Sequence, residues 1–378
     1  MTLANVTIVV SPRERFSLSR ASLESIYQHT EIPFKLVYVD GNSPEPVQSY
    51  LAQQSVEKDF ALIRVDHCLT PNQARNMGLA HVETQYVAFV DNDVIVSPGW
   101  LRAMVQCAQE TGADIVGPLT CQDEPVHETV HFANGVAHVI VDVKGRRRLR
   151  EKMCRQGQRV AAVQSKLQRV QAELVEFHCM LADTRVFQNL GPLDEQFMNT
   201  KEHVDLCMSV QKAGGHIYFE PTSVITYVPG ISWNWADLHF YMLRWSDAWE
   251  LKSLAHLQQK WNLSEDIYFT HKYKALGWRR RQMILSPILH RLTFGLLQGH
   301  LFEKISFGLI RTRLVEKLLM YGLLAPAERL LNRYLTWRHA RLWLRPAALA
   351  RGSGSSSAVG SPAAVPLLGK IDENSSTA

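Results

Sequence analysis

The chain has little that would mark it as exported or membrane-spanning. Its 378 residues hold six cysteines, Cys68, Cys107, Cys121, Cys154, Cys179 and Cys207, with no C-x-x-C among them. Thiols scattered in this way argue against a disulfide framework or a zinc ribbon and for reduced cysteine. No uncharged apolar run approaches the ~20 residues that a spanning helix needs. The longest, Leu292–Phe302 and Leu318–Ala327, reach about half of that. The first residues carry neither a basic stretch nor the apolar core of a signal peptide. A cytoplasmic protein is therefore expected. Internal repeats are absent, and biased composition is confined to residues 351–378, a Gly/Ser/Ala/Pro-rich stretch that reads as a disordered tail.

Hydrophobic residues make up 46% and charged residues 20%, the balance of a globular chain, which excludes a wholly disordered or collagenous one. The net charge of +5 conceals an asymmetry. Residues 270–350 hold 15 Lys/Arg against 3 Glu, which leaves −7 for residues 1–269. An acidic body with a basic C-terminal part implies two regions with different contacts.

The first part alternates strand and helix. Short β-branched or apolar runs at 5–10, 34–39, 61–65, 86–90 and 114–116 read as buried strands. Between them, 18–28, 47–54, 71–79 and a helix with Pro98 in its first turn and Gly112 after its end read as helices. Four βα units in succession mean a largely parallel sheet with helices on both faces. From 120 to 175 the pattern loosens. A hairpin is expected over 131–143 around Asn134-Gly135, followed by a polar, mobile stretch from Arg146 to Leu174. A strand at 176–181, helices at 184–189 and 202–213, a strand at 217–219 and an aromatic helical segment at 233–259 follow.

Two carboxylates, Asp91 and Asp93, stand at the end of the apolar strand Val87–Val90, where open α/β sheets bind their ligands. Both are hard oxygen donors suited to Mg²⁺ or Mn²⁺, and an ion there would neutralise a departing diphosphate. An ordinary Asp/Asn turn has equal weight, since D-x-D arises by chance about once in a chain of this length. Asp40 also ends a strand, placed to bind a base or ribose or simply to close an Asx turn. Arg75 and Asn76 open the helix that precedes the metal strand, a position suited to phosphate or to plain capping.

Taken in order, Thr7-Ile8-Val9-Val10, Val39-Asp40-Gly41-Asn42-Ser43, Ala74-Arg75-Asn76-x-Gly78, Asp91-Asn92-Asp93, Gly191-Pro192-Leu193-Asp194-Glu195-x-Phe197 and Glu202-His203-Val204-Asp205-Leu206 closely resemble the family 2 glycosyltransferases of GT-A fold. The resemblance covers residues 4–230. It implies a nucleotide-sugar donor, usually a UDP-sugar, a Mn²⁺ or Mg²⁺ ion and inversion at the anomeric carbon. By match to the family pattern, Ser11, Pro12, Asp40, Arg75, Asn76, Asp91 and Asn92 would form the nucleotide-sugar site, with Asp91 and Asp93 on the metal. The implied organisation is a GT-A domain over 1–232, with a donor half to 119 and an acceptor half from 120. A basic, aromatic helical extension over 233–350 and the tail complete it.

The sequence departs from the family in two places. Family members usually carry Glu-Asp-x-Asp at the start of the late helix, the second acid being the general base. Here His203 takes that place, flanked by Glu202 and Asp205. A histidine takes up a proton at neutral pH, and the two acids either hold it or serve as base themselves. The second departure is that Val224–Pro229 lacks the histidine metal ligand of some relatives. His178 beside Cys179 reads as core packing, because neighbours in a strand face opposite sides.

Trp233, Trp235, Phe240, Tyr241, Trp245 and Trp249 read as a helix packing its aromatic face, ahead of an acceptor platform. The basic helices at 273–344 have three readings: a surface cap, a nucleic-acid contact through Arg279-Arg280-Arg281, or a peripheral contact with an anionic membrane at its inner face. Their apolar content disfavours nucleic acid. A membrane contact would suit a glycan or lipid-linked acceptor. Two rival functions stand beside glycosyl transfer: a non-catalytic scaffold of the same fold, which His203 favours, and a nucleotidyltransferase, which the late Glu-x-x-Asp helix disfavours.

Overall fold

A computed structural model of the chain describes residues 6–229, 235–280 and 283–284. These belong to one compact unit, Met1–Glu328; the second unit, 329–378, lies outside the described residues. In chain order the strands are β1 (Val6–Ser11), β2 (Phe34–Gly41), β3 (Ala61–Val65), β4 (Tyr86–Asp91), β5 (Val94–Val96), β6 (Ile115–Gln122), β7 (Thr129–Phe132), β8 (Gly135–Val141), β9 (Arg147–Met153), β10 (Val170–Gln171), β11 (Cys179–Asp183) and β12 (Ile217–Tyr227). The helices are α1 (Ser19–His29), α2 (Glu45–Glu57), α3 (Pro71–Leu79), α4 (Trp100–Thr111), α5 (Val160–Val163), α6 (Arg185–Leu190), α7 (Glu202–Lys212), α8 (Trp235–Arg244), α9 (Asp247–Lys260), α10 (Ile267–Ala275) and α11 (Trp278–Arg280).

The main sheet runs β10-β12-β6-β11-β4-β1-β2-β3. β1, β2, β3 and β4 are parallel, as are β6 and β12, while β11 runs antiparallel between β4 and β6. This is the mixed α/β GT-A arrangement that the sequence resemblance implies, with helices following in the C-terminal part. Side chains alternate between the faces of each strand. Val9, Val39, Val87 and Phe89 join one buried cluster, while Ile8, Val10, Tyr38, Ala88 and Val90 join another. Both faces are covered, which explains why these strands read as unbroken apolar runs.

α3 sits close against β1. A Cβ on Gly78 would come within 2.3 Å of Val9 Cγ1, so only glycine admits this approach. A reciprocal capping box between Thr70 and Gln73 fixes the start of α3, and Arg75 follows one turn later.

Four expectations need correction. α4 begins at Trp100, so Pro98 precedes it; Gly99 and Gly112 bound the helix in left-handed conformation. Asn134-Gly135 does not turn a hairpin. β7 folds back on β6, and the hairpin is β8 with β9 around Asp142–Gly145. The polar stretch from Arg146 thus contains β9, α5 and β10, and Arg147 is tied to Ser264 and Trp261. β11 starts at Cys179, three residues later than expected, which leaves Glu176, Phe177 and His178 in the approach to it.

Phe240, Tyr241 and Trp245 pack inward, Phe240 stacking on Phe16 at 5.0 Å between ring centres. The expected basic helices from 285 to 344 and the tail lie outside the described residues. Within the Arg279-Arg280-Arg281 triplet, Arg279 reaches Glu14 at 3.6 Å and Arg280 reaches Asp247 at 2.5 Å, so these two face protein carboxylates. Among the described residues no helix is long and apolar enough to cross a membrane.

Candidate active site

The site forms at the C-terminal end of β4. Cross-strand hydrogen bonding puts Asp91 there: its N–H donates to His178 O at 3.1 Å, and the Asn92 N–H donates to Ser11 O at 2.9 Å. The Asp91 carboxylate is fully buried and draws three partners. Arg75 Nη2 donates to Oδ1 at 3.0 Å, while Arg13 Nε and His178 Nδ1 stand 3.5 and 3.1 Å from Oδ2. Burial alone would raise its pKa, but the two guanidiniums and the histidine outweigh it and hold the group well below the usual carboxylate range.

Asp93 is the opposite case. It too is fully buried, yet neither carboxylate oxygen has a hydrogen-bond partner. Burial, then the charges of Asp91 and Glu14, push its pKa well above the normal value. A buried carboxylate with both oxygens unmatched is costly unless a cation completes it. Asp91, Asp93 and His178 can offer ligand atoms that all lie within 4.8 Å of one another. This donor set fits a divalent ion, and Asp91 with Asp93 are the residues that would hold it.

Three arginines converge on Glu202 at the start of α7. Arg13 Nη1, Arg75 Nη1 and Arg244 Nη2 lie 3.4, 3.7 and 4.0 Å from its Oε1. Burial raises the Glu202 pKa, but these charges prevail and lower it. Arg75 is completely buried, stacked over Phe177 at 4.0 Å. Arg13 Nε, whose contact with Asp91 lacks hydrogen-bond geometry, and Arg244 Nε and Nη1 are buried without a hydrogen-bond acceptor, so the pocket has cationic N–H groups to spare. Lys201, the cap of α7, is held left-handed at φ 73°. Such strain in a non-glycine residue needs surrounding support. Its ammonium supplies that support by binding both oxygens of Glu151 at 2.8 and 2.6 Å.

The other expected residues divide. His203 follows Glu202 and is half-buried. Burial lowers its pKa against the raising influence of Glu176 and Glu202, so the ring is neutral at pH 7. Asp205 points away: its oxygens accept from Trp261 Nε1 at 2.9 Å and Lys260 Nζ at 2.8 Å, which ties α7 to α9. The side-chain amides of Asn76 and Asn92 are engaged within the protein. Asn76 exchanges hydrogen bonds with Leu193 at 2.8 and 2.9 Å and donates to Glu195. Asn92 accepts from the Arg13 N–H at 2.9 Å and donates to Arg15 O and Ser19 Oγ, fixing the loop that carries Arg13. Asp40 closes the Asx turn, accepting from the Ser43 N–H at 2.9 Å and Ser43 Oγ at 2.8 Å, and is paired with Arg64. Ser11 Oγ is buried and without a partner, and Pro12 lies beside Gly41.

Arg13, Glu14, Arg244 and His178 were missed by sequence reasoning. Arg13 had a signal, standing two residues beyond the end of β1. The sequence places His178 inside a strand, where it reads as core packing beside Cys179. In fact it precedes β11, where the antiparallel register Cys179↔Val90 brings it to Asp91.

The family model for glycosyl transferase family 2 matches residues 7–151. That span, somewhat over a third of the chain, is thus similar to the family 2 glycosyltransferases. The matched span covers β1 to β9 and includes Asp40, Arg75, Asp91 and Asp93, while α7 lies beyond it. The chain resembles the pre-mycofactocin glycosyltransferase of Mycobacterium tuberculosis, with 26% identity over 231 residues, or 59% of this chain and 42% of that protein. It also resembles the hyaluronan synthase of Pasteurella multocida, with 25% identity over 135 residues, or 35% of this chain and 14% of that protein. The chain thus spans less than half the length of these curated relatives. Solved structures similar to the chain include GalNAc-T7 with UDP, GalNAc and Mn²⁺ (TM-score 0.45, 14% identity, 74% of this chain and 57% of that one). Another is S. aureus TarS in complex with UDP (TM-score 0.42, 11% identity, 69% and 72%).

Proposed function

We propose that the chain transfers a sugar from a nucleotide-sugar donor, a UDP-sugar in the first instance, to a hydroxyl acceptor with inversion. The observation that carries this reading is the Asp93 carboxylate, buried with both oxygens unmatched beside Asp91 at the ligand-binding end of a family 2 glycosyltransferase sheet. Such a group is a liability in the empty protein and an asset once a cation and a diphosphate arrive. Asp91 and Asp93 would hold Mn²⁺ or Mg²⁺, which would neutralise charge on the diphosphate as it leaves.

The chain's own residues do the rest. Arg13 and Arg244 have buried N–H groups without acceptors, which suit diphosphate oxygens. Glu202 holds these arginines together. Its lowered pKa inside the guanidinium cage makes it a poor base, and Asp205 is occupied by α9. His203 is left as the base. It takes the proton from the acceptor hydroxyl as that oxygen bonds to the anomeric carbon. The bond from that carbon to the diphosphate breaks, and its electron pair leaves with the diphosphate. The acceptor is a glycan or a lipid-linked precursor, the second of which would draw on membrane contact by the basic helices.

The test is release of nucleoside diphosphate from a panel of nucleotide-sugars, with and without Mn²⁺. Metal-dependent turnover of one donor by the wild type, lost in Asp93→Asn, supports the reading. Absence of turnover and hydrolysis with every donor would favour a scaffold of the same fold.

A further inference from the structure

We infer that the chain has a second metal site, built from His131, Glu176 and His178, that takes a borderline transition-metal ion of the Zn²⁺ class. His131 sits at the inner end of β7, and Glu176 and His178 sit in the turn before β11. Their ligand atoms all lie within 4.8 Å of one another. His131 Nε2 is 3.2 Å and His178 Nε2 4.0 Å from Glu176 Oε2. That oxygen is buried without a hydrogen-bond donor.

The ring orientations carry the argument. The His131 Nδ1 stands 2.7 Å from Gln122 Oε1. An amide oxygen only accepts, so Nδ1 bears a proton and Nε2 is the ring nitrogen turned to Glu176. An imidazole nitrogen and a carboxylate oxygen held face to face suit a shared cation, a proton or a metal ion. His178 Nδ1 lies 3.1 Å from Asp91 Oδ2 without hydrogen-bond geometry, and its Nε2 lies 4.0 Å from Glu176 Oε2. Metal-bound histidines characteristically present the other ring nitrogen to an oxygen acceptor, as His131 does here to Gln122. Stacking on Tyr227, with ring centres 4.0 Å apart and 24° between planes, fixes the His178 ring. Two imidazoles and one carboxylate select Zn²⁺ over the oxygen-seeking Mg²⁺ and leave the fourth position to water. An ion there would clamp the 176–178 turn to β7 and hold His178 on Asp91. The site borders the proposed donor metal through His178, which belongs to both clusters, and differs from it in using His131 and Glu176 in place of Asp91 and Asp93.

The experiment is equilibrium dialysis of the full chain against Zn²⁺ in a millimolar excess of Mg²⁺, which occupies oxygen-rich sites and competes poorly for imidazole. One equivalent of Zn²⁺ is expected to remain with the wild type and with Asp93→Asn. Glu176→Gln and His131→Ala are each expected to lose it, and Gln122→Ala to bind it ~10–100-fold more weakly. Circular dichroism of each variant separates metal loss from misfolding. Failure of the wild type to retain Zn²⁺ would reduce the cluster to a histidine–carboxylate ion pair and overturn the proposal. Retention by both Glu176→Gln and His131→Ala would overturn it equally. Asp93→Asn losing Mn²⁺-dependent nucleotide binding while keeping Zn²⁺ separates this site from the donor site.

Discussion

Two buried ionic clusters stand at the two sides of Glu202. In one, Lys201 binds both oxygens of Glu151, and Tyr268 adds a hydroxyl donor at 2.6 Å. In the other, Asp91, Asp93, Glu202 and three arginines leave both oxygens of Asp93, Oε2 of Glu202 and two nitrogens of Arg244 without partners. The first cluster is complete within the protein and serves the fold by holding the strained cap of α7. The second is left incomplete by the protein, as a binding site would be. Burial is common to both; what separates structure from function is the number of unmatched polar atoms.

The largest effect that sharpens this contrast is expected at Asp93. Asp93→Asn should lower turnover by ~10³-fold or more, the scale of several kcal/mol of lost charge stabilisation. The same variant, without metal, should be more stable than wild type by about 1–3 kcal/mol, since an amide replaces an unmatched buried carboxylate. Calorimetry and steady-state rates on one preparation check both. A variant that is less active and less stable would place Asp93 with the structural cluster.

At His203, His203→Ala should lower kcat by ~10²–10⁴-fold. His203→Asp, which restores the family pattern, should recover part of it. Since burial keeps the His203 pKa below 6.5, wild-type kcat/KM should be flat at pH 7 and fall only in acid. The His203→Asp variant should carry that fall to lower pH. A pH profile unchanged by either substitution removes His203 from the chemistry.

The structural cluster should respond in stability alone. Glu151→Ala strands the buried Lys201 ammonium and should cost about 3–5 kcal/mol. Glu151→Leu combined with Lys201→Met should cost less, because no charge is left unpaired. The pH dependence has a definite sign. The Glu151 pKa is held down to about 2 in the fold, where Lys201, Lys272 and two hydrogen bonds outweigh burial, against an ordinary 4.5. Its contribution is present above pH 4.5 and lost as pH falls toward 2. Thermal melts over that window should flatten in Glu151→Gln. The smallest effect is expected at Lys260, a third exposed and paired with Asp205. Lys260→Ala should cost about 1 kcal/mol or less by urea denaturation.

The sheet was legible because its strands are buried on both faces and so announce themselves as apolar runs. β9 was not: Arg147-Arg148-Leu149-Arg150-Glu151-Lys152-Met153 is too polar to read as a strand, and its order comes from β8 and from Ser264 and Trp261. Asn134-Gly135 gave a strong local turn signal that pairing of β7 with β6 overrode. In the site, Asp91 and Asp93 were legible because both lie on one strand end. Arg13 and His178 meet Asp91, and Arg244 meets Glu202, from distant parts of the chain, and only antiparallel register and helix packing bring them there. Asn76 and Asn92 matched the family pattern, yet their amides hold loops in place, a distinction that spacing does not carry.

The most direct test is the thermal stability of the full chain with UDP, GDP, CDP and ADP, each with and without Mn²⁺. A site left incomplete by the protein should be completed by metal and nucleotide together. One nucleotide at 100 times its Kd should stabilise by ~2.7 kcal/mol in the presence of Mn²⁺, and far less without it. The shift should vanish in Asp93→Asn. No shift with any nucleotide in the presence of Mn²⁺ would contradict the account, since the unmatched atoms at the end of β4 would then await neither metal nor diphosphate.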